Sequence, residues 1–147
     1  MTSAAPDLLV RDPRGTRERM TAPVVAATAL LAASLLLHLR DPHATGSYLV
    51  CPWLFLTGTY CPGCGGLRAV NDLTRGDLGA AVSSNALLVG TLPLLLVLWA
   101  RWARDRWQGV RRVVDHRRVN VLAVAFGVLA LAFGVLRNVP GLEWLTP

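Results

Sequence analysis

The sequence predicts an all-α integral membrane protein with three transmembrane helices and a cysteine-containing outer loop that carries a short helix. Three observations lead there. Of 147 residues, 53% are hydrophobic, and the mean hydropathy is positive, which is unusual for a soluble domain of this size. Three long stretches are apolar, with uncharged interiors. All fifteen basic residues are Arg, and most of them gather in two blocks that flank those stretches.

The first apolar stretch runs from Thr21 to Leu39, with Pro23 placed near the expected helix start, where Pro is tolerated. At ~1.5 Å per residue it reaches about 28 Å, close to the thickness of a hydrocarbon core. It is longer than a signal-peptide core, and no A-x-A site follows it, so an uncleaved anchor is expected. The second runs over residues 82–102, uncharged in its interior from Ala86 to Ala100, with Pro93 as the expected kink. The third covers residues 119–136. Ahead of the spans, residues 1–19 read as a flexible basic tail, and residues 20–147 as a single membrane domain.

Charge sets the orientation. Residues 1–20 hold four Arg against Asp7, Asp12 and Glu18, and residues 101–118 hold seven against Asp105 and Asp115. With three spans both blocks fall on one side, and the positive-inside rule makes that side cytoplasmic. The loop 40–81 and the C-terminal segment are then outside. The expected location is the cytoplasmic membrane of a bacterium, since Arg in place of Lys, with abundant Ala, Val, Leu and Gly, fits a GC-rich genome. Trp99, Trp102 and Trp107 fall at the inner interface and Trp144 at the outer one. No basic stripe interleaved with aromatics lies on a polar domain, so nucleic acid is not an expected partner. The spans carry no charge that would mark an ion path, and no Ser–His–Asp set or carboxylate pair can be assembled, so the reading leans away from an enzyme.

Within the outer loop, Tyr48 to Tyr60 is apolar, too short to cross and broken by Pro52 and Gly58, which suits an interfacial turn. Leu67 to Leu73 is a candidate short helix ended by Gly76. Asp77 is a natural N-cap for the helix of the second span, and Asn85 is placed to hydrogen-bond across helices. All three cysteines, Cys51, Cys61 and Cys64, are in this loop.

Two chemistries suit them. A metal knuckle, with zinc the candidate ion, would use Cys61 and Cys64, with Cys51 as third ligand. Asp41, His43, Asp72 or a second chain would supply the fourth. Thiol–disulfide exchange would use Cys61 and Cys64 near the start of the short helix, with Arg68 on the same face favouring the thiolate. A structural disulfide, or packing alone, also stays open. The exposed aromatics Tyr48, Trp53, Phe55 and Tyr60 suit the lipid bilayer, a second copy or another membrane protein as partner.

The run C51-P-W-L-F-L-T-G-T-Y-C-P-G-C-G-G-L-R-A69, followed by R75-G-D77 and N85, resembles the bacterial domain-of-unknown-function 2752 family. Those are small integral membrane proteins with a C-P…L-T-G…C-P-G-C-G…R-A…G-D…N-P pattern. The resemblance covers roughly residues 48–100 and includes Cys51, Cys61, Cys64, Arg68, Gly76, Asp77 and Asn85. Ala86 stands where the family usually has Pro, and Asn71-Asp72 occupies the place of a frequent histidine. The resemblance implies a class of protein and no particular activity.

Overall fold

A computed structural model describes residues 9–44, 48 and 51–146. Residues 1–8 of the expected tail, and Leu49 and Val50 of the apolar turn, lie outside the described residues. The chain is mostly helical: β1 (Leu9–Arg11), α1 (Thr16–Leu39), α2 (Pro52–Thr57), α3 (Gly66–Thr74), α4 (Leu78–Gln108), β2 (Val110–Arg112) and α5 (His116–Leu136), then a 3-10 turn at Glu143–Leu145. Helices α1, α4 and α5 are each long and apolar enough to cross a membrane. Side chains such as Leu31, Leu96 and Leu131 are exposed along them, as expected of surfaces that meet the bilayer rather than water.

Each long helix begins earlier than its hydropathy suggests. α1 starts at Thr16, so Pro23 is an internal, buried proline in its second turn and not a first-turn residue. α4 starts at Leu78, where the Asp77 carboxylate accepts from the Ala80 N–H at 2.8 Å. α5 starts at His116, capped by Asp115, which accepts from the N–H groups of Arg117 and Arg118. α4 and α5 thus begin at side-chain caps, whereas α1 begins after Gly15 with no side-chain cap, through a polar first turn. In α4 the backbone leaves helical angles at Asn85 (φ −160°, ψ 90°), eight residues before the expected kink at Pro93.

The two ends of the bundle differ in character. At one end, residues of the expected flexible tail take regular structure in β1 and the start of α1. β1 pairs antiparallel with β2, Leu9 opposite Arg112 and Arg11 opposite Val110. Asp12 is buried beside this ribbon and accepts a forked pair of bonds from Arg14 at 3.0 and 2.7 Å, with Arg106 and Arg111 both 3.8 Å away. The Arg14 hydrogen bonds hold the Asp12 carboxyl well below the usual carboxylate range. The ribbon thus joins the start of α1 to the α4–α5 connection and gathers the arginine blocks at one end.

The opposite end is a polar cap built around α3, which packs on α4 and α1. The buried positions of α3 are Ala69, Asn71 and Asp72, while Leu67 is exposed. This inversion of the usual pattern is offset by hydrogen bonds to most of these polar groups, although Asn71 Oδ1 is buried without a partner among the described residues. The Asn71 amide donates to Leu37 O at 2.7 Å, the Ser84 hydroxyl donates to Asp72 Oδ2 at 2.8 Å, and His43 Nε2 lies 2.9 Å from Asp72 Oδ1. His38 Nδ1 meets Thr74 Oγ1 at 3.0 Å. Gly76, in the left-handed conformation, closes α3, and the Asp77 N–H returns to Asp72 O at 2.9 Å.

Candidate metal centre

The cysteine loop is shaped by two short helices. Pro52 starts α2 with Cys51 at its N-cap, and Gly58, in the left-handed conformation, ends it. The turn Cys61–Gly65 then closes on itself through Cys64 N–H to Cys61 O at 3.1 Å. Gly65 has φ +77°, a conformation that side chains disfavour, and it turns the chain from Cys64 directly into α3. α2 leaves Trp53, Phe55 and Leu56 exposed, with Phe55 at 81%.

These turns bring the three sulfurs together. Cys61 Sγ lies 3.1 Å from Cys64 Sγ and 3.5 Å from Cys51 Sγ. All three ligand atoms fall within 4.8 Å of one another, and all three cysteines are free thiols. A tetrahedral zinc ion with Zn–S bonds of about 2.3 Å would set its sulfurs about 3.8 Å apart. The separations of 3.1 and 3.5 Å are somewhat shorter than that value, so a small spreading of the sulfurs lets one ion reach all three.

Their environments differ. The Cys51 thiol is lowered to about 7, first by the Leu54 backbone N–H and then by Cys61 and Cys64. Burial, followed by the neighbouring thiols, pushes Cys64 up to about 12. Among the described residues no fourth His, Cys, Asp or Glu joins the group. The fourth ligands expected from sequence are occupied elsewhere. His43 pairs with Asp72, and Asp41 accepts from Arg75 at 3.2 Å. Arg68 does not reach the thiols either; its Nε approaches Pro42 O at 3.5 Å.

The turn is held from outside by α4 and α5. The Asn85 amide donates to Pro62 O and Cys64 O, each at 3.0 Å, so its partners are loop carbonyls rather than another span. Arg137 Nη1 donates to Cys61 O and Cys64 O, each at 2.9 Å. Asn138 pairs with the Tyr60 backbone in both directions at 2.9 Å. Pro62 lies so close to α5 that a Cβ on Gly134 would sit 3.3 Å from its ring. Of these clamps only Asn85 was visible in the sequence. Arg137 and Asn138 read there as ordinary residues flanking a span, and nothing local marks them as loop ligands.

The fold and the site define a class: a chain with three helices able to cross a membrane and a three-thiol cluster at one end of the bundle. Residues 51–99, from the first cysteine into α4, match the family described as "Protein of unknown function (DUF2752)". No curated protein and no solved structure matches the chain.

Proposed function

We propose that this is a non-enzymatic membrane protein of the bacterial cytoplasmic membrane, with its cysteine cap outside, fixed by one metal ion on Cys51, Cys61 and Cys64. The observation that carries this reading is the position of Cys51. A redox pair or a tight turn needs only Cys61 and Cys64, yet a third sulfur from a separate element stands 3.5 Å from Cys61. Zinc suits the donor set, because thiolates are its preferred protein ligands and it adds no redox chemistry of its own. The ion would staple α2 to the start of α3, and the exposed Trp53, Phe55 and Leu56 of α2 would then be held as a rigid surface for the bilayer or a membrane partner.

A second reading has its own support. The Cys61 and Cys64 sulfurs are 3.1 Å apart, and Cys51 is lowered to about 7, so that about half of it is thiolate at neutral pH. Thiol–disulfide exchange is therefore the rival chemistry.

One preparation separates the two. The full chain is purified in detergent, and its metal content and reactive thiols are measured with and without reductant. One zinc per chain, lost in Cys51→Ser and in Cys61→Ser/Cys64→Ser, is the expected result. A metal-free protein with a disulfide that exchanges readily with added thiols would overturn the metal reading in favour of the redox one.

A further inference from the structure

Arg137 follows directly on α5 and is 1% exposed. A guanidinium keeps its proton in proteins, so this is a buried positive charge. Among the described residues no carboxylate pairs with it. Its donors go to four carbonyls: Cys61 O and Cys64 O at 2.9 Å, Leu145 O at 3.2 Å and Ser84 O at 3.5 Å. The rings of Phe133 and Tyr60 lie 4.9 and 5.8 Å from its central carbon. These partners satisfy hydrogen bonds, but they are dipoles and leave the net charge in place. Buried charges are as a rule paired or serve a metal site, because an isolated one is costly. Burial pulls Arg137 below its ordinary value, and the charges of Cys64 and Cys61 act in the opposite sense. Among the described acids of the cap, Asp72 is committed to His43 and Ser84, and Asp77 to the α4 N-terminus.

Among the described side chains, only the cysteine turn offers Arg137 a negative partner. Three neutral thiols supply none. Three thiolates around one divalent cation leave a single negative charge, which one guanidinium cancels. We propose that Arg137 is the built-in counter-ion of a three-thiolate centre for one divalent, thiophilic cation whose fourth ligand is neutral, such as water. This rests on the metal reading above and makes it more specific. A fourth thiolate or carboxylate, or a monovalent ion, leaves the centre with excess negative charge that Arg137 alone does not cancel. Arg137 is a positioning residue: it grips the turn by two carbonyls and balances its charge without touching the ion. Because Arg137 closes α5, loading the centre also fastens the third span to the cap.

The test uses the full-length chain in detergent, with zinc as the probe. Zinc affinity is read by competition with a chelator, and the melting temperature is read with and without zinc. In Arg137→Gln, zinc binding is expected to weaken about 10–100-fold, the usual range for residues behind metal ligands. The rise in melting temperature on adding zinc should shrink with it. Arg137→Lys keeps the charge and should stay close to wild type in both. Wild-type protein that binds no zinc refutes the metal reading itself. Wild-type protein that binds zinc, with Arg137→Gln binding equally well, leaves that reading intact and overturns the counter-ion. A purely structural Arg137 would lower the melting temperature equally with and without zinc, leaving the zinc-induced rise unchanged; that outcome also overturns the proposal. Should Arg137→Gln not accumulate, Arg137→Met, which removes the charge and keeps an apolar stem, takes its place, with weakened zinc binding supporting the proposal and unchanged binding overturning it.

Discussion

The same thiol group meets two different surroundings within one cluster. Cys51 caps α2, where the Leu54 N–H favours its thiolate, and it is lowered to about 7. Cys64 is buried and pushed up to about 12. Since only the thiolate is nucleophilic, metal-free, reduced protein should be alkylated first at Cys51. The rate should rise as pH rises through about 7 and then level, because the thiolate fraction is complete above that value. Cys64 should stay protonated and unreactive through the neutral range, and bound zinc should protect both. Mass-spectrometric mapping after timed exposure to iodoacetamide reads the order, and equal rates at the two positions would contradict it.

At the scale of elements, the break in α4 explains how a membrane helix can hold a loop. Asn85 leaves helical geometry, its Oδ1 accepts from the Leu88 N–H at 2.9 Å, and its amide is freed to grip Pro62 and Cys64. Asn85 is therefore the N-cap of the longer part of α4, and Ala86 is that segment's first residue. Pro is favoured at a first helical position, and the extended φ of Asn85 suits a residue that precedes Pro. This gives a physical reason for the N-P pair in the family pattern. Ala86→Pro is expected to leave the melting temperature unchanged or to raise stability by about 0.4–1 kcal/mol. Asn85→Ala should cost about 1–3 kcal/mol by loss of the cap and the loop bonds. Asn85→Asp keeps the cap acceptor and loses both donors, so it should loosen the cysteine turn and speed its alkylation. A large loss of stability in Ala86→Pro would show instead that the Ala86 N–H is needed.

For the whole molecule, the β1–β2 ribbon places the N-terminal segment and the α4–α5 connection together, and the cysteine cap sits at the other end of the helices. The arginine-rich end should be cytoplasmic, because that is where Arg-rich flanks of spans are retained. Alkaline phosphatase, active only outside the cytoplasm, is expected to be active when fused at the C-terminus and inactive when fused at the N-terminus. The reverse pattern would invert the topology and move the cysteines to the reducing side, where a disulfide could not persist.

The spans were legible because hydropathy is a property of contiguous residues, and Asp77 and Gly76 were legible because caps act on the next turn of chain. The Asp77 cap located the start of α4, whereas the starts of α1 and α5 were missed by five and three residues, since their first turns are polar and hydropathy does not see them. The sequence alone also placed all three cysteines in one loop between two spans. Only the tertiary structure decided that Cys51 joins the other two and that Arg68, Asp41, His43 and Asp72 do not. It also decided that Arg137 and Asn138, more than seventy residues further along the chain, hold the cysteine turn. The reason is physical: spans and caps are set by neighbours in sequence, whereas the partners of a buried charge are set by which helix ends the packing brings together.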